Sequence, residues 1–221
     1  MKKFLLLASL LTSSAMASEF SYTNLDLGYA WGNAELPSDY TAFGLDDDLD
    51  VEGFFASGRY EITNNFFVYG NYQDGEIKTD DLIFGGDFKV DSWTAELGLG
   101  GYAGLAGCAD IYYSVGYKYT ELDLDELGVG DQDLGNIDIN VGIRWAPATW
   151  VEINPYVEYS IGVNDDEFVD SVNVLTAGLN VYVTAFQYVQ PFVGVAAELD
   201  SSDDNVTSEQ VLYSAGLRFA F

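Results

Sequence analysis

The stretch Gln210-Val211-Leu212-Tyr213-Ser214-Ala215-Gly216-Leu217-Arg218-Phe219-Ala220-Phe221 decides the fold. Its odd positions read Val, Tyr, Ala, Leu, Phe, Phe. Its even positions read Gln, Leu, Ser, Gly, Arg, Ala. Successive side chains of a strand point to opposite faces. This strand therefore carries one greasy face and one face suited to a polar interior, and it finishes on an aromatic ring.

The same two-faced pattern recurs upstream, giving ten segments in all. The alternation predicts strands at about 20–33, 51–62, 66–75, 91–102, 109–122, 136–146, 151–163, 172–183 and 188–199, with the C-terminal segment as the tenth. In the first, Leu25, Leu27, Tyr29 and Trp31 oppose Asn24, Asp26, Gly28 and Ala30. In the sixth, Ile137, Ile139, Val141, Ile143 and Trp145 oppose Asp138, Asn140, Gly142 and Arg144. Short turns are expected after strands 2, 4, 6 and 8, and long acidic loops after 1, 3, 5, 7 and 9.

No segment after the N-terminus offers the ~18 consecutive apolar residues of a membrane helix. A chain that spans lipid without such helices must close into a barrel, because lipid satisfies no free backbone N–H or C=O. Aromatics fall at both ends of the apolar faces. Trp31, Trp93, Tyr117, Tyr119 and Tyr159 stand at loop ends, and Tyr60, Phe66, Trp145, Phe219 and Phe221 at turn ends. Two such girdles match two membrane interfaces. The expected fold is all-β: a closed antiparallel up-and-down transmembrane β-barrel of ten strands, with eight as the alternative. A soluble barrel of lipocalin type is the rival, and it would turn the apolar face inward.

The N-terminus reads as an export signal. Lys2 and Lys3 precede the apolar run Phe4 to Leu11, and Ala15-Met16-Ala17 supplies small residues for cleavage. The expected division is 1–17 signal peptide and 18–221 barrel domain. The chain holds 8 Lys and Arg against 36 Asp and Glu, with no His, for a formal charge of −28. This balance excludes nucleic acid as a natural partner, since phosphate binding needs a basic surface. Cys108 is the single cysteine, so no internal disulfide is expected. It falls in the Gly-rich stretch 103–109, read as a tight turn holding a packed free thiol.

Without the signal, six basic residues remain. Lys78 and Lys89 are read in the second loop. Arg59, Lys118, Arg144 and Arg218 all lie on the polar parity, together with Asp26, Glu61, Glu96, Asp138, Glu158 and Glu198. A Lys or Arg facing mid-bilayer costs about 2–4 kcal/mol, so these ten charges are expected to meet in the lumen. Arg59, Arg144 and Arg218 stand near turn ends and should share a layer with Glu61. Nine glycines (28, 98, 100, 116, 142, 162, 178, 194 and 216) share that parity. They leave room for Tyr69, Tyr112, Tyr156, Tyr182 and Phe192. Asp46-Asp47-Asp48, Asp123-Leu124-Asp125-Glu126, Asp165-Asp166-Glu167 and Asp203-Asp204 offer hard oxygen ligands, so divalent cations are candidate partners. The Asp123 stretch lacks the EF-hand spacing, because Leu127 and Leu134 fall at ligand positions. No cofactor motif and no Ser-centred nucleophile motif is present.

Taken with the signal, the Tyr69-Gly70-Asn71-Tyr72 strand and the closing Gly216-Leu217-Arg218-Phe219-Ala220-Phe221, the chain resembles the small bacterial outer-membrane β-barrels. These are porin-like proteins related to the membrane domains of OmpA and OmpX. The resemblance implies an outer-membrane location, contact with lipid and lipopolysaccharide, and insertion by the barrel-assembly machinery through the C-terminal strand. It implies a role in envelope integrity, adhesion or narrow diffusion. The ten-stranded omptin proteases are the enzymatic alternative; they use a His at the extracellular mouth, and this chain has none.

Overall fold

The structure is a computed structural model that describes residues 20–35, 48–79, 88–123, 130–163, 173–202 and 205–221. Ten strands follow one another: β1 (Asn24–Glu35), β2 (Asp48–Thr63), β3 (Phe66–Thr79), β4 (Phe88–Ala106), β5 (Ala109–Asp123), β6 (Gln132–Ala148), β7 (Val151–Gly162), β8 (Asn173–Val183), β9 (Val189–Ser202) and β10 (Asn205–Ala220). Each pairs antiparallel with its sequence neighbour, and β1 pairs with β10 to close the barrel. The closing register runs from Asn24 opposite Ala220 to Glu35 opposite Glu209. It sets Asp26 directly across from Arg218.

The faces follow the parity of the sequence. Leu27, Phe54, Leu97, Val115, Tyr117, Ile139, Val157, Val193 and Leu217 are all exposed on the outside. Arg218, Asp138, Glu152 and Arg144 are no more than 3 % exposed on the inside. An apolar exterior around the whole girth fits hydrocarbon, whereas soluble monomers rarely expose apolar patches beyond a few hundred Å2. It excludes the lipocalin-type alternative. Trp31, Tyr117 and Tyr159 mark one edge of this belt, and Tyr60, Phe66, Trp145 and Phe221 the other. Trp150, Phe186 and Tyr188, exposed on the turns, add to the second girdle.

Several boundaries differ from the sequence expectation. β4 runs for 19 residues, because pairing continues past the expected 91–102 at both ends, toward the loops with β3 and toward the turn with β5. Lys78 and Lys89 therefore lie on β3 and β4, opposite each other, and not in a loop. The last connection is only 203–204, since β9 and β10 extend up to it. β1 begins at Asn24, and residues 20–23 leave the sheet. The β4–β5 turn contracts to Gly107-Cys108, and its thiol is exposed rather than packed. The signal segment and most of the acidic loop clusters (46–47, 124–126, 165–167 and 203–204) fall outside the described residues.

Inside, large rings lie over glycines of the adjoining strand. Phe55 pairs with Gly28, Phe67 with Gly100, Tyr69 with Gly98, Tyr112 with Gly142 and Tyr156 with Gly178. A Cβ at Gly98, Gly142 or Gly178 would collide with the partner's ring. Gly58 faces outward instead, and the nearest atoms to a Cβ there are 3.9 Å away. Gly178→Val is therefore expected to destabilise the folded barrel by about 1–3 kcal/mol through overpacking, while Gly58→Ala should change little. Urea unfolding in lipid vesicles checks the pair.

Candidate functional site

The lumen is layered along the barrel axis. The turn-end layer is filled by the four residues that precede β1. Tyr22 is fully buried, stacked at 3.8 Å and 4° on Tyr102 and at 5.4 Å on Phe67. The Arg144 guanidinium lies 4.8 Å from the ring centroids of both Phe20 and Tyr22. Arg144 Nη1 also donates to the Ser21 carbonyl at 2.7 Å. Ser21 Oγ donates to the Phe221 carbonyl at 2.8 Å, and the Phe221 N–H to the Thr23 carbonyl at 3.0 Å. The entering segment and the last residue of the chain are thus fastened to each other across the mouth.

Above it lies a connected set of charges. Arg144 grips Glu152 through Nε and Nη2 at 2.7 and 2.8 Å. Arg218 grips Asp26 in the same two-pronged way at 2.8 and 2.9 Å, and its Nη1 reaches Glu152 at 3.3 Å. Tyr182 faces the Arg218 guanidinium at 3.6 Å and donates to Asp26 at 3.3 Å. Strands β1, β6, β7 and β10 are tied together through the lumen by this one constellation. Paired forks of this kind are the stronger class of hydrogen bond.

Arg59 and Glu61 stand at the same turn end but make no direct bond to this constellation. Arg59 is held between Phe67 and Tyr112, 5.6 and 4.9 Å from their centroids. Its Nη1 is buried without a hydrogen-bond partner. Glu61 accepts from the Tyr102 hydroxyl at 2.8 Å. A third group lies toward the loops. Lys118 Nζ is 2.9 Å from Asp138 and 3.7 Å from Glu158, and it donates to Ser160 at 3.0 Å. The Asp138 contact is a close ion pair outside hydrogen-bond alignment. Glu96 accepts from Tyr69 and Asn71, and Glu198 lines the wall further round.

Two residues of this constellation escaped the sequence reading. Glu152 and Asp110 are 2 % exposed and share the inward parity of β7 and β5. Each stands at the first or second position after a turn. Both fall on the inward parity within the expected strands 109–122 and 151–163, so parity alone signals their face. Tyr22 lay inside the expected first strand, and nothing in its period announced that it leaves the sheet.

Between the turn-end layer and the Lys118 group the lumen is hollow. One cavity of about 180 Å3 touches Arg59, Tyr112, Asn140 and Glu158. A second of about 260 Å3 touches Phe55, Phe192, Glu198 and Ser214. Ser57, Arg59, Tyr156, Asn180 and Tyr182 border both, so the two adjoin.

A fourth group stands on the outer face beyond the loop-side girdle. Lys78 contacts Glu76 and lies 2.6 Å from Glu52, and Lys89 lies 2.7 Å from Glu76 and 2.9 Å from Asp91. Hydrogen bonds from Lys78 and then Lys89 hold the Glu76 carboxyl at about 2, below its ordinary 4.5. A depressed carboxylate contributes stability above its unfolded value and loses it as pH falls through the folded one. These side chains are part-exposed, so the contribution is small and weakened by salt. The difference in urea midpoint between the parent and Glu76→Gln should be largest at neutral pH and shrink as pH falls from about 4.5 toward 2.

Comparison with known proteins agrees with this architecture. A family model described as the outer membrane protein beta-barrel domain matches residues 4–135. The beta domain of the Bordetella autotransporter BrkA is 10 % identical, with a TM-score of 0.56, over 90 % of this chain and 100 % of that one. The translocator domain of the autotransporter NalP from Neisseria meningitidis is 10 % identical, with a TM-score of 0.53, over 100 % and 94 %. The outer membrane protease OmpT from Escherichia coli is 9 % identical, with a TM-score of 0.53, over 94 % and 100 %. At such identities the likeness is one of fold alone. No curated protein matches the sequence.

Proposed function

The chain belongs to the outer membrane protein beta-barrel domain family, a barrel of the bacterial outer membrane, and from that premise we propose that it serves the envelope as a structural or surface-interaction protein. The observation that carries this reading is the filled turn end. Tyr22, stacked on Tyr102 beneath Arg144, occupies the mouth that a through-channel would need open. The ten lumen charges named from the sequence then serve chiefly to fix strand positions, which buried pairs do more reliably than they add stability. Lipid and lipopolysaccharide surround the apolar belt, and the C-terminal strand is the handle for the assembly machinery. Divalent cations at the acidic loops complete the proposed partners.

The alternative is a narrow, cation-preferring diffusion channel. The adjoining polar cavities and the excess of acid favour it, since acidic pore walls select cations. Conductance across planar bilayers separates the two. A folded barrel that gives no steps supports the structural role, and stable cation-selective steps would replace it with the channel. We read the protein as non-enzymatic. Hydrolysis of a lipid or peptide substrate, abolished by one acidic substitution, would reverse that.

A further inference from the structure

We propose that the mid-lumen cavity is a binding site for a neutral mono- or disaccharide. Its lining is unusual for space that only needs to be filled. Four amides (Asn71, Asn140, Asn154 and Asn180) and four phenols converge on the smaller cavity, with two serines among them. Some of this polarity is already spent. Tyr112 donates to Asn154 at 2.9 Å, and Asn140 donates to Glu158 at 3.2 Å. A donor and an acceptor remain without partners in the same wall, Arg59 Nη1 and Asn140 Oδ1. Both atoms are shielded from the cavity itself, whereas Ser57 and Asn180 border both hollows, and a hydroxyl and an amide call for a partner that donates and accepts.

Sugar hydroxyls meet that demand, because each donates and accepts. The charges on the wall argue against an ion. A cation would confront Arg59, and an anion would confront Glu158 and Glu198. Ring faces are also at hand for the apolar C–H faces of a pyranose. Phe55 and Phe192 stand 6.1 Å apart, lining the larger cavity. Volumes of about 180 and 260 Å3 suit one or two sugar rings and are small for a longer glycan. With Tyr22 closing the turn end, the loop end is the route of entry. The site stands whether or not the barrel conducts.

The full-length barrel, refolded in a zwitterionic detergent without sugar headgroups, is titrated with D-glucose and with maltose. Saturation transfer from protein to sugar protons is the readout, together with nuclear Overhauser contacts to lumen tyrosine rings. Wild type should transfer, and the contacts should fall on tyrosine ring protons. Ser57→Ala and Asn180→Leu, each checked for folding by heat-modifiable gel mobility, should weaken binding by about tenfold or more, the loss expected when a site built on hydrogen bonds is left unpaired. No transfer to the folded wild type would mean that water alone fills the cavity, and the proposal fails. Undiminished transfer in both folded variants, or contacts away from the tyrosines, would place the sugar elsewhere and overturn it equally.

Discussion

Replacing Phe20 and Tyr22 together with alanine is expected to turn a silent barrel into a conducting one. The two rings do not hang from the wall as the other lumen aromatics do. They are carried in by the chain before β1 and fill the centre of the mouth. Tyr22 has no exposed surface, and the Arg144 guanidinium covers both rings. Removing them leaves wall residues on opposite strands facing one another across water, and joins the hollow mid-lumen to the turn side. The excess of acid along that path predicts cation selectivity. Tyr22→Phe keeps the stack on Tyr102 and loses only the long 3.5 Å approach of its hydroxyl to Asp110, so it should stay silent. The double variant also forfeits buried aromatic packing, at about 3–5 kcal/mol for a ring deleted from a core. A lower unfolding midpoint with new bilayer steps is the expected pair of results. A lower midpoint with continued silence would show that the wall residues alone close the lumen.

The architecture was legible because a membrane barrel states its faces in a period of two. Each outward position from Leu25 to Phe219 could be assigned from parity, and so could the inward placing of Arg144 and Arg218. Parity gives a side chain's face but not its height, and not its partner across the lumen. The Asp26–Arg218 pair follows from closing the last strand on the first, which fixes one register. The reach of Arg218 to Glu152, 66 residues away, depends on the tilt of strands that are not neighbours. Arg59 shows the same limit. Its parity and turn-end position put it with Arg144, yet the rings of Phe67 and Tyr112 capture it. Strand ends were read short because the extensions above the girdle turn charges outward, at Glu76, Lys78 and Lys89, and apolar Ile77 and Val90 inward, which reverses the pattern of the belt. There, pairing between backbones outlasts the apolar alternation that announces it.

Glu152→Gln is expected to be among the most destabilising single changes in the barrel. This carboxylate is 2 % exposed and accepts from two arginines, Arg144 through both oxygens and Arg218 through one. Gln keeps the volume and one acceptor but removes the charge between two buried guanidinium groups. Arg218 retains Asp26, whereas Arg144 is left with the Ser21 carbonyl and two ring faces. Breaking a buried pair in this way costs about 3–5 kcal/mol, mostly from the stranded charge. The double variant Arg144→Met/Glu152→Leu removes both members and should recover much of that loss, because an apolar pair of similar size avoids the desolvation penalty. Unfolding in urea, measured for the parent, the single variants Arg144→Met and Glu152→Leu, and the double, gives the coupling directly. A coupling near zero would mean that the two residues act independently, and that the constellation at the turn end is held by Asp26 and Arg218 alone. The Arg144→Met single variant carries a second readout. Because Arg144 also fastens the segment before β1, its loss should raise bilayer conductance in the same direction as the Phe20 and Tyr22 replacements. Glu152→Gln, which leaves the Ser21 contact in place, should raise it less.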